Sequence, residues 1–464
     1  MSNTSNTQFD AIVVGSGISG GWAAKELSER GLKVLLLERG PDVRHRNDYT
    51  GEGKAPWQLP YRDRVPEAVV ARDYATQSRC YAFRDTTKHF FVKDSEAPYE
   101  TPDDKPFDWI RGYHLGGRSL TWHRQSYRLG DIDFGANKAD GHGVDWPIRY
   151  DDIASWYDHV ETFAGITGSK EGLPQLPDGQ FQPAMAMNCA ELSMKQKLEK
   201  AYPERKLIIG RAAHLTAPTE EQMKLGRTRC QQRNECQRGC SFGAYFSSLS
   251  ATLPAARNTG NLTIVTDAVV DSVVYDEDAE RATGVRVVDA NTKAAREYNG
   301  KLVFLCASTL GTAQIMLNST SARFPNGIAN DNDVLGRNLM DHLGGVGFSG
   351  RVPGFLDSTT VGRRPTGCYI PRFQNIEEPD PRFKRGFGFQ CEAFRTGWRR
   401  AEYGPGVGEE MKKDIRQPGP WMFWISGFGE MLPYLRNRVW LDKKKKDQWG
   451  MPLSLIHISE PTRH

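Results

Sequence analysis

The chain has 464 residues, of which 38% are hydrophobic and 10% aromatic, so it can bury a large core and is not disordered in bulk. Lys and Arg number 61 against 57 Asp and Glu, and this near balance gives no support to a nucleic-acid or polybasic membrane partner. No apolar run reaches the length of a transmembrane span, and residues 1–10 carry neither Lys or Arg nor an apolar core, so we expect no export signal of the chain's own.

The predicted elements begin with a strand, a turn, a helix and a second strand. An apolar β-branched run over 11–14 predicts a buried parallel strand, 20–30 shows helical spacing, and 33–37 predicts a second buried strand. This order is typical of the βαβ unit that opens a doubly wound sheet, so we expect an α/β fold. Residues 41–105 show no long period and are predicted to form a lid or an elaborated connection.

Further along, the chain continues to alternate between the two kinds of element. Helical patterns cover 150–165, 190–201, 247–258 and 308–318, and strand-like runs cover 262–265, 269–275, 284–288 and 302–306. Beyond about residue 345 the pattern changes to irregular, aromatic and Gly/Pro-rich strands. This change of pattern indicates a second domain.

Gly15, Gly17 and Gly20 form a G-x-G-x-x-G motif between the first strand and the first helix. In this setting the glycines permit the tight turn, the approach of a pyrophosphate to the backbone, and close packing of helix on strand. The helix N-terminus, with Ser19 in its first turn, offers free N–H groups to the anion. Glu38 ends the second strand, where an acid is expected to bind ribose hydroxyls and to disfavour NADP. The competing interpretation is a glycine turn without ligand, and the motif does not separate FAD from NAD.

Three of the eight cysteines, Cys230, Cys236 and Cys240, form a C-x5-C-x3-C pattern. Thiolates are the usual ligands of iron–sulfur clusters, and a loop of this length can wrap one. The alternatives are a zinc loop, a disulfide with one spare thiol, and cysteines that only pack. A zinc site needs a fourth ligand, which no nearby Cys or His supplies at the usual spacing. Arginines expected to offset the charge of a cluster surround the pattern: Arg229, Arg233 and Arg238.

Three further motifs follow the first glycine motif in order. They are L-G-G-R-S at 115–119, C-A-S-T-L-G-T-A-Q-I-M-L at 306–317 and G-R-N-L-M-D-H at 336–342. Together the four motifs resemble those of the glucose–methanol–choline (GMC) family of flavin oxidoreductases, and the resemblance extends to about residue 452.

The resemblance implies a bound FAD and the residues that hold it. Gly116, Gly117 and Ser119 would lie against the flavin and its phosphates, and Trp122 would join this set. Val269 would lie near the adenine through its backbone. Some relatives attach FAD through a His in the second glycine-rich segment, whereas the corresponding residue here is a threonine, so we expect non-covalent FAD.

The resemblance also implies a division into domains. We expect a doubly wound, Rossmann-like FAD-binding domain over 1–145 and 225–345, with the cysteine loop at 229–243. A mixed α+β substrate domain, which we expect to be incomplete, would cover 146–224 and 346–452. The tail, 453–464, resembles a translated sequencing adapter, and we expect it to be an artefact.

The activity implied is oxidation of a primary or secondary alcohol of a sugar, glycoside or sugar acid. The cysteine spacing resembles that of GMC dehydrogenases with a 3Fe-4S cluster between flavin and an external cytochrome c. Relatives of this kind pair with a small subunit that carries the export signal, which implies a periplasmic address, with a cytoplasmic one as the alternative. The alternative functions are a pyranose-oxidase-like oxidase and a non-catalytic flavin-binding fragment.

Alcohol oxidation requires a base near the hydroxyl, and in the GMC family that base is a His near the C-terminus. We expect the segment that would hold this His and its His or Asn partner to be absent from this sequence. His457 and His464 lie in the adapter-like tail and are not credible catalytic residues. We therefore assign no catalytic residue and expect this fragment to be inactive.

Overall fold

The computed structural model describes residues 3–360, 362, 364–397, 400–401 and 406–458, and side chains are described from residue 8 onward. The helices within these residues are α1 (Ile18–Glu29), α2 (Glu67–Asp73), α3 (Asp131–Phe134), α4 (Ala136–Asp140), α5 (Tyr150–Ala164), α6 (Cys189–Ala201), α7 (Glu220–Lys224), α8 (Thr252–Asn258), α9 (Thr309–Asn318) and α10 (Glu409–Arg416). None of the helices in this part of the chain combines the length and apolarity needed to cross a bilayer.

The first sheet contains six strands: β1 (Asn3–Val14), β2 (Val34–Leu37), β4 (Leu262–Val265), β5 (Ala268–Asp276), β6 (Arg281–Asp289) and β7 (Ala295–Leu305). Their order is β4-β2-β1-β7-β6-β5, with the first four parallel and the last two added antiparallel. Val13 packs on one face with Leu253 of α8, whereas Ile12 packs on the other with Ile315 of α9. Because helices cover both faces, the central strands are continuously apolar. The predicted doubly wound α/β domain is confirmed.

The second sheet is antiparallel and contains β3 (Ile208–Ile209), β8 (His342–Val352), β9 (Cys368–Ile370), β10 (Phe389–Arg395) and β11 (Trp421–Glu430). Its order is β3-β9-β10-β11-β8. Side chains of β11 alternate between the interior and the other face, and Trp421, Phe423 and Ile425 pack against Met194 of α6. Because α6 covers one face of this antiparallel sheet, the second domain is of the mixed α+β kind that was expected.

A hairpin of β12 (Arg438–Lys446) and β13 (Pro452–His457) lies outside both sheets. Val439 and Ile456 pack against Leu310 of α9 and Trp109, so this hairpin covers one side of the first domain. The first six residues of the adapter-like tail therefore have a place in the structure, whereas 459–464, with His464, lie outside the described residues. The expectation that 453–464 is an artefact stays a prediction.

Candidate functional site

The glycine turn, residues 15–20, lies at the point where the order of the first sheet reverses. From β1 the chain passes to β2 on one side, while β7 lies on the other, so the carboxyl ends of β1 and β7 flank a crevice. Such a switch point is where ligands bind in open α/β sheets. Gly15 has φ +94°, and a Cβ there would lie 2.5 Å from the carbonyl oxygen of Cys306 at the end of β7. Only glycine fits this position.

The second and third glycines of the turn play different steric parts. A Cβ on Gly20 would lie 1.8 Å from the carbonyl oxygen of Gly15, so this glycine lets α1 pack on the turn. A Cβ on Gly17 would meet nothing within 4 Å, so the space above it is open. The N-terminus of α1, which includes the exposed Ser19, has no side-chain cap. Its first N–H groups have no intrahelical acceptor and are free for an anion, and this cradle fits a diphosphate.

Two serines join the glycine turn to the second glycine segment, residues 111–122. Gly116 N–H donates to Ser16 Oγ at 2.9 Å. Ser119 Oγ donates to the Gly116 carbonyl at 2.5 Å and accepts from Ser248 N–H at 3.0 Å. Ser248 Oγ in turn donates to the Gly17 carbonyl at 2.8 Å. Neither Ser16 nor Ser248 was singled out from the sequence, because hydroxyl contacts across 100 or more residues leave no local pattern.

The second segment approaches the turn closely because of its own glycines. Gly116 and Gly117 have φ +89° and +49°, and a Cβ on Gly117 would lie 3.4 Å from the Gly17 Cα. The structure therefore brings together five of the residues predicted to hold the cofactor around one cradle: Gly15, Gly17, Gly116, Gly117 and Ser119.

Glu38 reaches the same cradle from the end of β2. Its carboxylate accepts hydrogen bonds from Ser16 N–H at 3.1 Å, Ser16 Oγ at 2.5 Å and Gly40 N–H at 3.0 Å. Burial raises the pKa of this carboxyl, although these hydrogen bonds oppose the shift. In the structure Glu38 thus fixes the turn itself. Its contact with a ribose stays a prediction.

The other two predicted cofactor residues differ in their surroundings. Val269 is wholly buried in β5, and the preceding Ala268 N–H donates to the Glu38 carbonyl at 2.9 Å, so this strand starts beside the cradle. Trp122 instead packs edge-on against Phe246 and donates its indole N–H to the Phe246 carbonyl at 3.0 Å. Its role toward a cofactor stays a prediction.

His114 is a buried imidazole directly before the second glycine turn. It lies against the Phe90 ring at 5.5 Å, and its Nδ1 is 2.9 Å from the Leu115 carbonyl oxygen. Burial lowers the pKa of His114 to about 4, although this hydrogen bond opposes the shift. The imidazole is therefore neutral at physiological pH.

The cysteine loop, residues 229–243, surrounds a small cavity. Cys230, Cys236 and Cys240 line it, and so does His214 from the preceding segment. The His214 Nε2 lies 3.6 Å from the Cys236 Sγ. All three cysteines are free, and burial raises the pKa of Cys236 to about 12. Within the described ranges, no three His, Cys, Asp or Glu side chains are arranged to hold a metal ion.

The donor chemistry of this cavity suits a soft metal group. Three thiols and one buried imidazole, whose Nδ1 has no hydrogen-bond partner, line one cavity that is partly open to the surface. These side chains fit an iron–sulfur cluster in kind, and whether they hold one stays a prediction. His214 was missed from the sequence because it precedes the first cysteine by 16 residues and was sought only at the usual local spacing.

Acidic side chains from the segment after β2 anchor the cysteine loop. Glu52 pairs with Arg233 and accepts from Ser241 N–H at 3.0 Å, and Asp63 pairs with Arg238 at 3.0 Å. Two of the arginines expected to offset a cluster's charge are thus engaged with carboxylates. The segment 41–105, predicted as a lid or an elaborated connection, therefore supports the cysteine loop through Glu52 and Asp63.

Comparisons with known proteins agree with this architecture. A family model described as GMC oxidoreductase matches residues 9–344. The chain is 26% identical to the fructose dehydrogenase large subunit of Gluconobacter japonicus, over 96% of this chain and 78% of that protein. It is 26% identical to 2-methyl-1,2-propanediol dehydrogenase of Mycolicibacterium austroafricanum, over 98% and 77%. It is 24% identical to the gluconate 2-dehydrogenase flavoprotein of Pantoea cypripedii, over 96% and 75%.

Solved structures share the fold at lower identity. A variant of formate oxidase from Aspergillus oryzae RIB40, described for its FAD modification, superposes with a TM-score of 0.54 at 16% identity. The alignment covers 98% of this chain and 78% of that one. Pyridoxine 4-oxidase from Mesorbium loti superposes with a TM-score of 0.51 at 15% identity, over 96% and 75%.

Proposed function

The chain belongs to the GMC oxidoreductase family, and from this premise we propose that it is an FAD-dependent dehydrogenase acting on an alcohol of a sugar, glycoside or sugar acid. The observation that carries the proposal is the glycine cradle at the switch point, open above Gly17 and lined by free helix N–H groups. The substrate class is supported by relatives named for fructose and gluconate.

The chain's own residues would hold and orient the cofactor, which supplies the hydride acceptor when bound. Gly17 and the first turn of α1 would receive the diphosphate. Ser16 and Ser248 would keep the second glycine segment against it through the hydrogen bonds described above. Binding is expected to be non-covalent, because Thr121 stands at the attachment position that some relatives use.

We further propose that Cys230, Cys236 and Cys240 hold a 3Fe-4S cluster, a one-electron carrier, and that the acceptor is a cytochrome c. The shared cavity of the three thiols supports the cluster. A partner chain is supported by the relative named as the large subunit of fructose dehydrogenase, because a large subunit implies at least one other subunit. A small subunit that carries the export signal would place the complex in the periplasm.

An oxidase that uses oxygen directly is the second candidate, since relatives include a paromamine 6'-oxidase of Streptomyces fradiae, 24% identical over 76% of this chain and 56% of that protein. Because this chain is expected to be inactive on substrate, its flavin is first reduced chemically, and its reoxidation by a dye and by oxygen separates the two. Dye reduction without oxygen consumption supports the dehydrogenase, and oxygen consumption at an equal rate supports the oxidase.

Flavin content tests the cradle directly and does not depend on turnover. Gly17→Ala places a methyl group where the diphosphate would lie, so we expect at least a tenfold loss of FAD affinity, about 1.4 kcal/mol, with the fold intact. Gly350→Ala is the matched control, because a Cβ there also meets nothing within 4 Å but lies in β8 of the second sheet. Titration of apoprotein with FAD, followed by flavin fluorescence, gives the affinities. Equal affinities in the two variants would contradict the proposal.

A further inference from the structure

We propose that His214 is a positioning residue of the cysteine site, whose Nε2–H donates a hydrogen bond to the Sγ of Cys236 and stabilises the reduced form of the cluster. This inference rests on the proposed cluster. Its basis is the Nε2···Sγ distance of 3.6 Å, which suits an N–H···S hydrogen bond, and the presence of both side chains on the wall of one cavity.

The hydrogen-bond inventory of His214 determines which ring nitrogen carries the proton. The side chain is buried, and its Nδ1 has no hydrogen-bond partner in the structure. A proton on Nδ1 would be a buried donor without acceptor, a costly arrangement, whereas a proton on Nε2 has the sulfur within reach. A cysteine that binds iron has lost its proton and can only accept. The neutral Nε2–H tautomer pairs the imidazole N–H with the Cys236 sulfur and leaves only the Nδ1 lone pair without a partner.

The neighbouring residues hold the imidazole in this orientation. The backbone of His214 pairs with that of Tyr245 in an isolated bridge, and its N–H donates to the Ala212 carbonyl at 2.8 Å. On the other side, Arg124 donates to the Cys236 carbonyl at 3.1 Å and lies over the Tyr245 ring at 4.0 Å. His214 and Cys236 are therefore fixed from both ends, and a small rotation of either is resisted by packing.

A donor to a ligating sulfur affects the cluster's electron affinity. Reduction adds negative charge to the cluster and its thiolates, and a hydrogen bond to sulfur stabilises that charge. Removing the donor is thus expected to make reduction less favourable without removing a ligand. A residue that only filled space would change neither the potential nor the spectrum in this way.

The test compares wild type, His214→Leu and His214→Gln, each purified without oxygen together with its partner chains. Gln restores an N–H donor at a similar reach, and Leu removes it at a similar volume. We expect iron and sulfide contents to be equal in all three. In His214→Leu the equilibrium constant for reduction of the cluster should fall about tenfold, which lowers its potential by about 59 mV for a one-electron couple. In His214→Gln at least half of that loss should be restored. EPR-monitored potentiometry gives the values, with His142→Leu as a control on the surface turn after α4.

The outcomes separate this inference from the proposed cluster. Wild-type protein without iron would contradict the cluster and the hydrogen bond together. Iron-loaded wild type with an unchanged potential in His214→Leu would overturn the role of His214 alone. Loss of iron from both variants would also overturn it, because the residue would then be a ligand or a structural support. If His214→Leu fails to fold, isotope-labelled histidine in wild type decides: a nitrogen coupling to the cluster is expected, and its absence contradicts the bond.

Discussion

The glycine turn and the cysteine loop are both built around a few residues of one type, but they depend on the rest of the molecule in different ways. The turn offers the backbone N–H groups at the start of α1, and its three glycines lie within six residues of one another, although the contact that requires glycine at position 15 is with the Cys306 carbonyl. The loop supplies thiols, but Glu52 and Asp63, which pair with its arginines and anchor it, lie in another segment of the chain. The buried imidazole beside Cys236, that of His214, also comes from outside the loop. A site built from backbone groups can therefore be predicted from the sequence, whereas a site built from side chains is completed by residues that only folding brings near.

The largest effect is expected where the turn touches the neighbouring strand. Gly15→Ala combines a left-handed backbone with a Cβ 2.5 Å from the Cys306 carbonyl oxygen, so we expect a loss of at least about 3 kcal/mol in the free energy of unfolding. Urea denaturation of this variant beside Gly350→Ala measures the loss. The cysteine loop should keep its thiol reactivity in the Gly15→Ala molecules that remain folded. A stability equal to that of the control would show that the turn adapts.

A comparable effect is expected from pH at His114, the buried imidazole within the second glycine segment. The folded protein keeps His114 neutral down to about pH 4, whereas the unfolded chain protonates it near 6.5. Protons therefore favour the unfolded state in this window. The free energy of unfolding should fall by about 3 kcal/mol as the pH falls from 6.5 to 4, and this contribution is fully present above pH 6.5. His114→Asn, which keeps a donor for the Leu115 carbonyl, should flatten the profile by that amount, and parallel profiles would refute the assignment.

The smallest effect is expected at the support of the cysteine loop. Glu52→Ala removes the partner of Arg233 and the acceptor of the Ser241 N–H, so we expect a loss of about 2 kcal/mol. The thiols of the loop should react faster with a disulfide reagent, while FAD affinity stays unchanged. Glu67→Ala, at an exposed position in α2, is the control. If FAD affinity fell with the loop, the two regions would be coupled and the contrast drawn above would fail.

The sequence predicted the first domain well because its elements carry strong periodicity. The run at 262–265 coincides with β4, and the helix at 308–318 differs from α9 by one residue. The helix at 247–258 starts only at Thr252, since the residues before it fold into a turn in which Ser247 Oγ lies 2.9 Å from Ser250 Oγ and accepts from the Ser250 N–H at 3.2 Å. Such local serine bonds compete with helix formation. The second sheet was foreseen only as irregular strands, because its order joins β3 to strands more than 150 residues later.

The amino-acid sequence by itself determined the G-x-G-x-x-G turn and the three-thiol pattern, since both arise from residue types at short, fixed spacings. Only the tertiary structure decided what surrounds them: Ser16 and Ser248 between the glycine segments, Glu52 under the cysteine loop, and His214 beside Cys236. The physical reason is that hydrogen bonds and ion pairs act over about 3 Å in space, whatever the distance along the chain. The spacing of residues in the sequence therefore predicts groups that lie in one short segment. Which side chains from other segments contact those groups is decided by the fold.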